Sequence, residues 1–277
     1  MKLKKIISRL QKLHPKEIDL SLDRIKNLCE KLGNPQDKIK AISLVGTNGK
    51  QSTINALFAI LKESKFKCNV YTSPHIQRIN ERYIFNNQEL EDGELAQLFE
   101  EIEEINDNQQ ITFFEILTAC FFYKAAKYSN NINLIEAGLF HRFDATNILK
   151  SNLASIICSI SKDHLDWLPK NQQTIKKIVF EKTSSLLNSN IIVSKQNSIK
   201  TAENIKKSIS QNLSNKLFFQ YFSHFLVTSP SDLRCRRLLH YKDFFLKYLL
   251  HLLFQIDQIL QSQDFLYTFC IHKKMQL

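Results

Sequence analysis

The chain has 277 residues, 43% of them apolar and 23% charged, with a formal net charge of +11. This composition excludes a disordered polar chain and suits one sizeable α/β domain, alone or with a smaller companion. The positive charge does not indicate a nucleic-acid binder, because the lysines are scattered among Asn and Ile over the whole chain instead of forming one stripe.

The six cysteines, at 29, 68, 120, 158, 235 and 270, show neither CxxC pairs nor metal-ligand spacing, and several fall in apolar runs where a thiol simply packs. A reducing cytoplasm fits them. The opening MKLKKIISRLQKL is too charged for a secretory leader. The most apolar late segment, 244–254, contains Lys247 and His251 and falls short of the ~20 residues of a membrane span, so a soluble protein without a membrane partner is expected.

In chain order, 6–13 and 21–32 have the apolar spacing of helices, broken at Pro15. Asp19 or Ser21 is a candidate cap for the second helix, and Gly33-Asn34-Pro35 ends it. Residues 42–45 form the first buried strand. The stretch AISLVGTNGKQST, 41–53, then reads as strand, phosphate loop and helix, with the helix proper over 53–64. The amides of such a Gly-flanked turn make a concave anion site, and Lys50 adds a charge on the outer phosphate. The spacing departs from GxxxxGK[ST], since Gly46 and Gly49 bracket only two residues and Gln51 separates Lys50 from Ser52.

A second strand over 68–72 runs into Ser73-Pro74-His75, and the strand–helix–strand order predicts that it pairs in parallel with the first. Residues 76–88, which hold Arg78, Glu81 and Arg82, return as a short hairpin. Residues 92–105 form an acidic amphipathic helix with an apolar stripe at Leu95, Leu98 and Phe99. Residues 112–128 form a buried helix whose Thr112 and Glu115 have the spacing of a capping box.

A third strand, 133–137, carries Glu136 at its C-terminal end, and a fourth, 154–160, runs into Ser161-Lys162-Asp163-His164. Helices over 174–187 and 199–209 flank a short strand at 190–193. Four or more strands alternating with helices predict an α/β fold with a mostly parallel, doubly wound sheet, whose strand C-termini line the ligand crevice. Ser52, Ser73, Glu136 and His164 all lie just past such ends. Hydroxyl, carboxylate and imidazole there suit magnesium bound together with a triphosphate.

GTNGKQST, YTSPHIQRINER, TFFEILTA, EAGLFHRFDATN and SISKDHLDWL followed by EK resemble, in order and spacing, the folylpolyglutamate synthase and dihydrofolate synthase family of the Mur-ligase type. The match runs from about residue 14 to about residue 200. It implies a Mur-ligase-type ATPase domain and an ATP-dependent carboxylate–amine ligase. Such an enzyme adds L-glutamate to a folate or dihydropteroate through an acyl phosphate. The implied cofactors are ATP and Mg2+, the partners small molecules, and the state monomeric.

Residue by residue, the resemblance assigns Gly46, Thr47, Asn48, Gly49, Lys50, Gln51, Ser52 and Thr53 to ATP. It assigns Ser73 and Glu136 to one metal, and Glu136, His164 and a carbamylated Lys182 to a second. Lys50, His164 and Lys182 are the catalytic candidates, with Arg142, Asp144 and Asn147 in support. Without the resemblance, Lys182 is a helix-surface lysine beside Glu181.

The family has Gly where this chain has Gln51, Phe140 and His141, so a crowded site or a changed turn is expected there. After about Leu217 the resemblance stops. The remainder, with no Gly or Glu and with Arg234, Arg236 and Arg237 clustered, is expected to be a divergent apolar tail over 215–277. It is expected to stand in place of the family's C-terminal α/β domain, through truncation or a shifted reading frame.

Overall fold

The sheet is organised around β1 (Lys40–Val45), which is buried from Ala41 to Val45 on both alternating faces and so reads as a continuous apolar run. The structure, a computed structural model, describes residues 2–16, 19–186, 190–210 and 217–219. All of these belong to one unit, Met1–Ser223; the second, His224–Leu277, lies outside the described residues, and with it nearly all of the expected apolar tail.

The parallel part comprises β2 (Cys68–Tyr71), β5 (Ile132–Glu136), β1, β6 (Ala154–Ile157), β7 (Asn190–Val193) and β8 (Leu217–Phe219), side by side in that order. Antiparallel β3 (Tyr83–Phe85) and β4 (Gln88–Glu89) extend it beyond β2 as the hairpin expected from 76–88. One expectation is corrected. β1 and β2 run parallel in one sheet, but β5 lies between them and hydrogen-bonds to both. Adjacency in sequence set the expected pairing, whereas the deeply buried run of β5 takes the central place.

The first two helices are α1 (Lys2–Leu10) and α2 (Asp23–Lys31). Neither proposed residue caps α2 as such: Leu22 occupies the cap position, and Ser21 Oγ instead accepts from Asp23 N–H at 3.1 Å. The chain then leaves α2 through Gly33 at φ +76°, as the Gly-Asn-Pro signal predicts.

Helix α3 runs over Lys50–Glu63 and starts three residues earlier than its apolar spacing suggests, because Gly49 caps it in the left-handed region at φ +87°. Lys50 is therefore the first residue of a helix and not part of a loop. Helix α4 (Asp92–Asn106) buries Leu95, Leu98 and Phe99, the expected stripe. Helix α5 (Phe113–Ala126) has its capping box as read: Thr112 Oγ1 accepts from Glu115 N–H, and Glu115 Oε2 accepts from Thr112 N–H at 2.8 Å. Helices α6 (Ile175–Thr183) and α7 (Ile199–Ser210) pack together.

The four described cysteines, Cys29, Cys68, Cys120 and Cys158, are buried and unpaired to one another. Among the described residues, no helix is long and apolar enough to cross a membrane.

Candidate active site

Three strand ends meet at one place. β1 ends at Val45, its neighbour β5 ends on Glu136 in register with Leu44, and β6 on the other side ends at Ile157 in register with Val45. From β1 the chain departs toward β2 on one flank, and from β6 toward β7 on the other. That reversal opens a crevice at the strand C-termini.

The loop after β1 is clamped to the loop after β6. Thr47 and Asn48 N–H donate to Ser159 O at 2.8 and 3.1 Å. Thr47 Oγ1 donates to Ser161 O and accepts from Ser161 N–H, each at 3.1 Å. The two amides are thus taken up by the clamp. The donors left for an anion are in the first turn of α3, where the first intrahelical bond is Thr53 N–H to Gly49 O and the amides of Lys50, Gln51 and Ser52 precede it. Gly46 packs so tightly on β6 that a Cβ there would lie 2.8 Å from Cys158 Cβ, and its φ is +150°. Gln51, where crowding was expected, is helical and exposed in the first turn of α3.

Lys50 Nζ donates to Gly46 O at 3.2 Å and stands 3.7 Å from Glu136 Oε1. Glu136 Oε2 accepts from Ser73 N–H at 3.2 Å. Burial raises the Glu136 carboxyl above its ordinary range, against the pull of the Ser73 amide and of Lys50. Ser73 Oγ is buried without a hydrogen-bond partner. Ser73, Glu136 and Lys50 are therefore brought together.

Lys182 is not the surface residue that its sequence context suggests. It is 2% exposed, and its Nζ donates to Gly46 O at 3.1 Å and pairs with Asp163 Oδ2 at 3.0 Å. Burial lowers its basicity and Asp163 opposes that shift. Asp163, which the sequence did not single out, has its Oδ1 buried and unpartnered. The only advance signal was its place in the strand-end run SKDH.

His164 follows in the left-handed region at φ +49°. It is half exposed, lies 3.9 Å from Asp163, and has its basicity lowered chiefly by burial. The Phe140 ring sits edge-on to His164, at 6.0 Å between centroids, and 5.5 Å from Lys182 Nζ. Phe140 is at φ +55°, so the turn is kept at a conformational cost of about 1–2 kcal/mol.

The RFDATN segment serves as internal scaffolding. Arg142 grips Glu181 bidentately at 2.7 and 2.9 Å, Asp144 accepts from the amides of Gly138, Leu139 and Thr146, and Asn147 Nδ2 donates to Arg142 O. His141 is 3% exposed with Nδ1 2.7 Å from Ser185 Oγ, and burial pushes its pKa down to about 4. A folded-state value below the ordinary 6.5 means that the unfolded chain takes up the proton first as pH falls. The stability held above pH 6.5 is therefore lost as pH drops through about 4, by up to about 3 kcal/mol. We expect His141→Gln to remove this dependence in urea unfolding measured at pH 7 and pH 4.5.

A metal fits the residues present. Glu136, the unpartnered Ser73 Oγ and Asp163 Oδ1 are hard oxygen donors. Among the described residues no group of three His, Cys, Asp or Glu could hold a metal ion by itself. A cleft of about 260 Å³ opens beside them, running from Ser73 and His164 past Arg82 to Leu20, Phe113 and Phe114.

No family profile matches the chain. The dihydrofolate synthase/folylpolyglutamate synthase of Haemophilus influenzae is 42% identical over 178 residues, 64% of this chain and 39% of that protein. The Escherichia coli protein of the same name is 36% identical over 171 residues, 61% of this chain and 40% of that protein. Among solved structures, Escherichia coli FolC in complex with DHPP and ADP superposes with a TM-score of 0.70 at 29% identity, covering 80% of this chain and 53% of that one. The Yersinia pestis bifunctional folylpolyglutamate synthase/dihydrofolate synthase with AMPPNP and Mn gives 0.69 at 29% identity, with the same coverages. The chain is thus a relative of the dihydrofolate synthase/folylpolyglutamate synthases, matching the N-terminal part of those enzymes and spanning about two fifths of the length of its curated relatives.

Proposed function

We propose that this chain carries the nucleotide-binding part of an ATP-dependent ligase that joins L-glutamate to the carboxylate of a dihydropteroate or folate. The observation that carries this is the juxtaposition of an anion-ready helix start, Lys50 and Glu136 with an aromatic-walled cleft at the same strand ends. The acceptor carboxylate attacks the γ-phosphorus and ADP leaves. The amine of glutamate then attacks the acyl carbonyl and phosphate leaves. Phosphorylation turns a poor leaving oxygen into a good one, and alignment of the two substrates supplies much of the rate.

Lys50 and the amides of Lys50, Gln51 and Ser52 hold the phosphates, with Gly46, Thr47, Asn48, Gly49 and Thr53 shaping the loop. Ser73 and Glu136 would hold one magnesium, and Glu136, His164 and Lys182 as a carbamate would hold the second. Bound Mg2+ would offset the phosphate charge. Carbamylation would set a negative group beside Asp163, now 3.0 Å from the Lys182 ammonium, and therefore needs that cation for compensation. Arg142, Asp144 and Asn147 support the wall. Residues 1–214 form the ATP-binding domain, and the protein works on small molecules as a cytoplasmic monomer.

A second, alternative function is nucleotide binding without ligation. Incorporation of radiolabelled glutamate into dihydropteroate or tetrahydrofolate, dependent on ATP and Mg2+, is the expected result for the ligase. Magnesium-dependent ATP binding in calorimetry with no incorporation would favour the second function.

A further inference from the structure

The cleft holds one cation that makes no close ion pair among the described residues. Arg82 is 9% exposed and lines the cleft together with Ser73, Phe113 and Phe114. Its Nε donates to His75 Nδ1 at 2.9 Å, and a ring nitrogen that accepts a hydrogen bond belongs to an imidazole without its proton there. A neutral imidazole brings no negative charge to the guanidinium. Among the described residues, no carboxylate lies within ion-pair range of Arg82.

The acids nearby are all engaged elsewhere. Asp19 and Glu115 share Arg24, at 3.1 and 3.0 Å. Glu81 accepts from the amides of Ile76, Gln77 and Arg78. Asp144 is satisfied by three amides, and Glu136, which feels the Arg82 charge beyond ion-pair distance, by Ser73 N–H and Lys50. An arginine cannot shed its proton, and a buried cation without a counter-ion is costly. The remaining guanidinium nitrogens form a planar fork suited to a carboxylate.

We infer that Arg82 is the binding residue for the carboxylate of the acceptor, drawing it to the Ser73 end of the cleft with the aromatic body of the substrate along Phe113 and Phe114. This rests on the proposed ligase function, to which it adds the group that recognises the acceptor's charge. Fixing the carboxylate there sets it beside the phosphate loop and reduces its repulsion from the triphosphate.

The test compares dihydropteroate with its uncharged methyl ester by titration calorimetry on the full chain, with ATP binding measured in parallel. Wild type is expected to prefer the carboxylate by about tenfold or more, the scale of a charge-assisted hydrogen-bonded pair. Arg82→Gln should abolish the preference and Arg82→Lys should restore part of it, both with unchanged ATP affinity. Thermal melts of both variants report folding, and the ligand ratio within one folded protein does not depend on stability.

An unchanged carboxylate-to-ester ratio in folded Arg82→Gln would overturn the assignment. So would a wild type blind to the charge, or an ATP affinity that falls with Arg82 while the ratio stays. Carboxylate preference in a chain that binds no ATP would support the anion site and overturn the ligase function. ATP binding with a charge-blind cleft would do the reverse.

Discussion

Lys182→Ala lowers the unfolding free energy by about 3–5 kcal/mol, the scale expected when one member of a buried ion pair is removed and the other is left unpaired. The substitution strips Asp163 of its partner at 3.0 Å and removes one of the two lysine donors to the Gly46 carbonyl, which Lys182 reaches at 3.1 Å and Lys50 at 3.2 Å. Removing Asp163 as well relieves part of the penalty. In a urea-unfolding double-mutant cycle, Lys182→Ala with Asp163→Ala should therefore cost less than the sum of the two, with a coupling of about 1–3 kcal/mol. Additive losses would mean that the two side chains do not act as a pair. Ligation should be abolished in the single variant, while ATP binding falls only modestly, since Lys50 and the first-turn amides of α3 remain.

Lys50→Met acts on the phosphate side instead. Lys50 is the first residue of α3 and its ammonium leans over the Gly46 carbonyl toward Glu136, so the variant removes a cation where the proposed site would gather phosphate charge. Loss of one charge-assisted contact is worth about 1.5–3 kcal/mol, or roughly tenfold to a hundredfold in ATP affinity by calorimetry. Stability should change far less than in Lys182→Ala, because Lys50 is the more exposed of the two cations, with 14% of its side chain accessible against 2%. A variant that binds ATP as tightly as wild type would remove Lys50 from the phosphate site.

The order of elements and most of their bounds were legible in the sequence because they rest on local signals. Thr112 with Glu115, the stripe on α4 and the Gly-Asn-Pro exit from α2 each declare themselves within a few residues. The logic of strand ends likewise put Ser73 and Glu136 in one place. What was not legible depends on distant parts of the chain. Periodicity does not see that Gly49 caps α3 in a left-handed conformation, nor that β5 separates β1 from β2. Lys182 looked like a solvated helix residue until the loop carrying Asp163 closed over it. Arg82 sat unremarked among charged neighbours, and only the surrounding pairings leave it as the odd charge.

The bonds between Thr47, Asn48, Ser159 and Ser161 carry a further consequence. They tie the two loops of the proposed triphosphate site before any ligand arrives, so little conformational freedom is left for a nucleotide to quench. Affinity for ATP should accordingly carry a small entropic penalty, and the heat of binding should report contacts made more than chain ordered.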